Sequence, residues 1–349
     1  MYRVNLFQLL QIVSAILIAL IIGLIIIFVV SEEPFRAAYY LLFGPLTRIH
    51  RSIEWIHMTI PIIFTGLAVS LVFQAKQFNI GAEGQFLVGA AGATFVALHF
   101  PPIGGLHILI IALAAMAGGT LWGAVPGLLK ARFAANELVS SLMMNFIGFF
   151  LALYLVNHYF RDVQAGFMVS YRFPLTAWLP DLTIRPRLHS GIILAVIAVG
   201  LIWYFLYRTK WGYEIRMVGM NLKFAEFGGI NVQRVVFYVQ ALSGGVAGLA
   251  GAVELMGVHH RFLWTSMPGL GFDGIIVAIL ARNHPLGLLF AALFIGYLRT
   301  AARLMERRTD VAAEVTIIMQ AVVILLVTAE AFLQHWQRRR KEREALLDG

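Results

Sequence analysis

Phe78-Asn79-Ile80-Gly81-Ala82-Glu83-Gly84-Gln85 is a polar interruption between two apolar runs, 60–73 and 86–100. In a bilayer, amides and a carboxylate are costly unless they face protein, water or a ligand. Gly81 and Gly84 weaken a helix at this point. Backbone groups freed there are tolerated only where they are buried or line a cavity. A broken helix carrying polar side chains near mid-membrane is a recurring way to build a solute site. The stretch therefore predicts an all-α, polytopic membrane protein arranged around a solute pathway.

Composition agrees. Hydrophobic residues make up 60% of the 349 residues and charged residues only 13%, which excludes a soluble domain. No charge occurs between Arg3 and Glu32, and 12–30 is almost wholly apolar. That run is too long for the core of a cleavable signal peptide and reads as a retained first span. With no cysteine, neither a disulfide nor a thiolate metal site is expected. The net charge of +9 is better explained by cytoplasmic loops and anionic lipid than by nucleic acid, because no basic stripe is interleaved with aromatics.

Apolar runs and their breaks predict about ten spans: 8–30, 53–74, 85–100, 106–129, 138–158, 191–207, 235–257, 272–281, 286–303 and 314–334. The short ones, 85–100 and 272–281, are the best pointers to a binding site. An even number of crossings puts both termini on one side. All the lysines, at 76, 130, 210, 223 and 341, then fall on that side with the basic cluster 338–343, although several arginines fall opposite. The lysine bias makes that side cytoplasmic. The expected organisation is one transmembrane domain over 1–337, with a cytoplasmic loop at 208–234 and a basic tail at 338–349. Residues 31–52 and 159–190 read as loops on the other side.

Within 208–234, Asn221 is placed to cap a helix, and Gly228 or Gly229 to stop it. The short helix between them would show Leu222, Phe224, Ala225 and Phe227. Such a helix suits a groove on a soluble partner, or equally a position flat on the membrane. Gly244 and Gly248 share a helix face with Gly251 close by, a small-residue surface that allows close helix approach. Asn136 reads as a helix cap followed by Glu137. Asn145, two turns deeper, is either a cavity residue or an interhelical hydrogen bonder. Glu254 and Glu330 sit near span ends, where they need only snorkel. The histidines show no metal spacing.

Four stretches carry a resemblance: FNIGAEGQ (78–85), NELVSSLMMN (136–145), GYEIRMVGMNLKFAEFGGI (212–230) and GFDGIIVAILARNHPLG (271–287). In this order the chain resembles permease subunits of bacterial ABC importers, in the branched-chain amino-acid/ribose type superfamily and its nucleoside branch. The resemblance implies a subunit of the bacterial inner membrane that hydrolyses nothing and needs no cofactor. It implies as partners an ABC ATPase, a second permease subunit and an extracytoplasmic solute-binding protein. The chain agrees on one point, since it has no G-x-x-x-x-G-K-[ST] loop to hold ATP phosphates.

The resemblance also makes 212–230 the segment that rests on the ATPase, with Gly219, Asn221, Leu222, Phe224, Ala225, Phe227 and Gly228 as its residues. It lines the cavity from 78–85, 136–145 and 271–275. The side chains there fit a nucleoside. Asn79 and Gln85 offer donors and acceptors to a base edge, and Phe78 or Phe272 a stacking face. Glu83 or Asp273 can accept from ribose hydroxyls, and Asn145 lies deeper in the cavity. The two acids have a structural alternative, capping or bridging broken helices. Phe78–Gln85 and 271–275 are loosely alike, as halves of an inverted repeat would be. Rival readings are a permease for ribose, another sugar or a flavin; an ion-coupled transporter using Glu83 and Asp273; and an intramembrane enzyme, for which no His-carboxylate cluster speaks.

Overall fold

The computed structural model of the chain describes residues 6–312, apart from 103 and 185, and residues 314, 315, 317–322 and 325. Most of the expected span 314–334, Glu330 and the tail 338–349 lie outside the described residues.

The apolar runs become helices, because in lipid each backbone group has to find its partner within the segment. In order they are α1 (Leu6–Val30), α2 (Pro34–Phe43), α3 (Ile49–Gln74), α4 (Ala82–His99), α5 (Gly105–Phe133) and α6 (Glu137–Leu155). A small antiparallel hairpin follows, β1 (Asp181–Ile184) with β2 (Arg187–His189). The chain continues with α7 (Gly191–Arg208), α8 (Lys210–Met220), α9 (Leu222–Phe227), α10 (Val232–Glu254), α11 (Leu270–Leu280) and α12 (Pro285–Glu306). Among the described residues, six helices of at least 18 residues are apolar enough to cross a membrane. They are α3, α5, α6, α7, α10 and α12, with α6 and α10 each prolonged by a turn of π-helix. The protein is a multi-pass membrane protein.

Two expected loops differ. Residues 31–52 contain α2, which Pro34 starts at its first turn, where a missing N–H costs nothing. Residues 159–190 contain the hairpin and are strapped to 256–262 by backbone bonds from Ser170 N to Phe262 O, Phe173 N to His260 O and Leu179 N to Met256 O. Buried backbone needs such partners, and a polar, proline-rich composition does not announce them.

The chain forms two compact units, one of residues 1–51 with 297–349, the other of residues 52–296. In the first, Ser31 Oγ and Glu32 N both donate to the Asp310 carboxylate, at 2.6 and 2.7 Å, and Tyr297 OH donates to Leu42 O.

The second unit is built on α3, α4, α5 and α10. Gly119 and Gly123 of α5 meet Gly244 and Gly248 of α10 backbone to backbone, and Gly89 and Gly251 bring α4 against the same face of α10. Without a hydrophobic drive between helices in lipid, this close approach is what yields packing energy. On the other flank, α5, α6 and α7 expose Leu109, Leu113, Leu121, Phe146, Phe150 and Leu201, which suit acyl chains.

Glu254 does not snorkel. It is buried at the end of α10, with Oε1 3.2 Å from His259 Nε2. Close by, the buried His189 ring is stacked on His57 at 4.6 Å, and its Nδ1 accepts from Gly191 N. Burial pushes His189 down to about 3, and the neighbouring His57 and His260 push in the same direction. Its neutral form therefore favours the folded state. The contribution is complete above about pH 6.5 and shrinks as pH falls towards 3. At pH 5 the loss is about 2 kcal/mol. The melting temperature of the detergent-purified protein should drop between pH 7.5 and 5, and His189→Gln should flatten that slope. An equal slope in the variant rules out the assignment.

Candidate functional site

The break between α3 and α4 follows from its own residues. Lys76 takes a left-handed φ of 51°, which turns the chain out of α3. Asn79 Oδ1 then accepts from Gly81 N at 2.8 Å, a side-chain turn that competes with continued helix. The freed backbone is met by side chains from two other helices. On α6, Ser141 Oγ accepts from Ile80 N, while Asn145 accepts from Gly84 N and donates to Ile80 O, both at 2.8 Å. On α10, Gln240 Nε2 donates to Phe78 O at 3.0 Å, and Ser243 Oγ accepts from Asn79 Nδ2 at 2.9 Å. Asn79 Nδ2 also lies 3.2 Å from Gln85 Oε1. Gly84 allows the approach, because a Cβ there would stand 2.7 Å from Met144 O.

Glu83 joins this break to the second one. Its oxygens accept from Gly269 N at 2.6 Å and Gly271 N at 2.5 Å, capping the N-terminus of α11. A carboxylate suits that end of a helix. Thr65 Oγ1 of α3 donates to Leu270 O, and Gly271 packs directly on the Glu83 backbone. Asp273 sits buried in the first turn of α11. The two short helices thus start side by side, tied by one buried acid.

The structure accordingly brings Asn79, Glu83, Gln85, Asn145 and Asp273 into one buried region. The first four spend hydrogen bonds on the protein itself. The bridging alternative for Glu83 and the interhelical one for Asn145 describe what is seen. Phe78 and Phe272 differ, with 49% and 37% of their surfaces exposed. Sequence reasoning singles out none of Ser141, Gln240 and Ser243, although Ser141 lies within the 136–145 stretch. The available signal was polar spacing on apolar helices, with Ser141 four residues before Asn145 and Gln240 three before Ser243.

In the 208–234 loop, Asn221 Oδ1 accepts from Phe224 N, so the expected cap of α9 is present. Gly228 ends the helix, and Gly229 at φ 80° turns the chain away. Leu222, Phe224 and Phe227 are exposed, Phe227 by 91%. Ala225 corrects the expected exposed face, since it is buried, and Gly219 of the preceding helix is buried too. Ala225 O receives Ile230 N, and Gly219 of α8 rests on the carbonyl of Gln74 at the end of α3. An open cavity of about 400 Å³ lies beside α9, lined by Glu226 and 229–233. At the start of α6, Asn136 Oδ1 accepts from Leu138 N as expected, and Glu137 pairs with Lys130 at 2.8 Å.

Residues 52–328 match the family described as branched-chain amino acid transport system / permease component. The chain belongs to that permease family. Among its relatives, the guanosine ABC transporter permease NupP of Bacillus subtilis is 34% identical over 94% of this chain and 97% of its own length. The glucose ABC transporter permease TsgB13 of Haloferax volcanii is 32% identical over 93% of this chain and 88% of its own. The nucleoside ABC transporter permease NupB of Lactococcus lactis is 28% identical over 92% and 90%. The permease is thus the membrane subunit of an ABC importer, without an ATPase site of its own. Importers of this type work with separate ATPase and solute-binding subunits.

Proposed function

We propose that this permease carries nucleosides inward across a bacterial inner membrane, with both termini cytoplasmic. The observation that carries the substrate is the 34% identity, along almost the whole of both chains, to a permease named for guanosine. Two half-exposed phenylalanines beside a buried cluster of amides support it, since base faces stack on aromatics and base edges bond to amides. The sugar reading has an observation of its own in the relative named for glucose. Uptake of labelled guanosine and glucose by the whole importer in proteoliposomes decides between them. Uptake driven by an ion gradient without an ATPase would instead favour the ion-coupled rival.

The mechanism we infer begins at α9, where Leu222, Phe224 and Phe227 bind the ATPase differently with and without nucleotide. Differential contact of that kind is what allows one partner to shift the other's conformation. Gly219 passes the movement to the end of α3, because α8 touches the Gln74 backbone there. The next residues are the break itself, held by Asn79, Gln85 and Asn145. The break and the start of α11, tied by Glu83, then open or close the pathway around Phe78, Phe272 and Asp273. In this reading they are counterparts in an inverted repeat, and a second permease subunit completes the pathway.

Asn79→Ala tests the break. The substitution removes the bonds to Gly81 N, Ser243 and Gln85, leaving buried partners unmet at about 1–3 kcal/mol each. Guanosine uptake should fall at least roughly tenfold. The ATPase should still copurify, because α9 is untouched. Unchanged uptake would remove the break from the pathway.

A further inference from the structure

Between α4, α5 and α6 lies an open slot of about 240 Å³. Its α4 wall is Val88, Ala91, Gly92 and Phe95, spaced three and four apart on one stripe of the helix. That stripe covers two turns, about 10 Å. Leu151, Ala152 and Leu155 of α6 form the other wall. Small residues make the space, since Ala91 and Ala152 are buried and too short to fill it. Its floor is sealed at Gly118 of α5, where a Cβ would stand 3.3 Å from Val88 O.

Every side chain lining the slot is hydrocarbon. Ordered water needs polar partners and finds none there. The polar groups of the break end at Gln85, before the slot begins, so a polar solute has nothing to bond either. The mouth joins the apolar flank of α5 and α6. Phe95 is exposed, as are Ile147, one turn before Leu151, and Leu121, three residues after Gly118. Phe160 closes the far end, where α6 gives way to the 159–190 loop. Exposed His99 and Tyr159 stand against its ring at 5.8 and 6.5 Å. Rings with a polar tip belong at a membrane surface. The slot therefore runs along the helices from the bilayer interior towards one surface. A partner helix, about 10 Å across, is too wide to enter it. One apolar side chain is shorter than two turns.

We infer that the slot binds one acyl chain of a bilayer phospholipid, from the leaflet on the side of the 159–190 loop. Such a chain is thin, unbranched, apolar and anchored at that surface. It restores the dispersion contacts that an empty slot forfeits. It also braces α4 against α6, the helix whose Asn145 holds Gly84 N and Ile80 O at the break.

The test uses the assembled importer in vesicles of phosphatidylethanolamine and phosphatidylglycerol, with a trace of phospholipid carrying a diazirine midway along one acyl chain. After illumination, peptides covering 88–95 and 151–155 should carry several-fold more label than the peptide around Leu201, which is exposed on α7. Leu151 is half-buried on the slot, so Leu151→Trp can grow into it. That variant should lose the excess and keep the label on α7. Added phosphatidylglycerol should raise the melting temperature of the detergent-solubilised importer by about 3 °C or more, and by less in the variant. Should Leu151→Trp fail to assemble, titration of the wild type decides. Label in the slot should then saturate with added lipid while label on α7 keeps rising. Equal label on slot and α7, an excess that survives Leu151→Trp, or no saturation would overturn the inference and leave ordinary boundary lipid. Label in the slot of the lone permease that vanishes in the importer would give the slot to the second permease subunit and overturn it too.

Discussion

Phe224→Asp is expected to cost the permease its ATPase. Copurification from solubilised membranes should fall by at least about tenfold, the effect of losing one aromatic anchor at an interface centre. The permease itself should survive, for two reasons. Phe224 is 61% exposed, so its replacement leaves no cavity in the subunit. Its position, three residues after the Asn221 cap, is in the first turn of α9, where an acid favours the helix. What the charge cannot do is enter an apolar socket on a partner without a counter-ion. Phe227→Asp should behave alike, since that side chain is almost wholly exposed. Undiminished recovery of the ATPase with either variant would show that α9 lies on the membrane surface instead.

Gly248→Leu is expected to prevent accumulation of folded permease. A Cβ at this position runs into the carbonyl of Ala115, and Gly119 Cα stands 3.0 Å away. Both are helix backbone, which cannot move aside as a side chain does. Overpacking by a few methylenes commonly costs 1–3 kcal/mol. Here the whole contact between α5 and α10 has to widen, so the loss should exceed that range. The measurement is the monodisperse fraction after detergent extraction, with Gly200→Leu as the control. Gly200 lies on the exposed side of α7 with nothing within 4 Å, so leucine there should be neutral. If Gly248→Leu matched the control, α5 and α10 would not pack through their glycines.

Much of the fold was legible because a bilayer leaves few choices. The helix starts at Gly105, Glu137, Gly191 and Pro285 lie within a residue or so of where apolar runs begin. Local chemistry also settled the caps, with Asn136, Asn221 and their glycine or acidic neighbours acting as their side chains require. The helix α8 escaped notice. It buries only Gly212, Ile215, Val218 and Gly219, a narrow stripe interrupted along the sequence by Lys210, Glu214 and Arg216.

The site was legible as a location and less so in its roles. Asn79, Glu83, Gln85 and Asn145 were singled out for a solute because polar groups in lipid need partners, and the partners could not be seen. Apart from Gly81, two residues from Asn79, they lie far along the chain from the side chains they meet: Ser243 for Asn79, Ile80 for Asn145 and the N-terminus of α11 for Glu83. The pairing of α5 glycines with those of α10 was hidden in the same way. A small-residue face records that something approaches closely and does not record what.

From the sequence alone came the membrane class, the broken helix at 78–85, the capped helix after Asn221 and the absence of a phosphate-binding loop. Each depends on solvent preference or on neighbours a few residues away, and both are written locally. Which buried acid bridges two helix starts and which amides are spent on backbone depend on residues up to 188 positions apart in the chain. Those contacts exist only once the helices have packed, so tertiary structure alone could decide them.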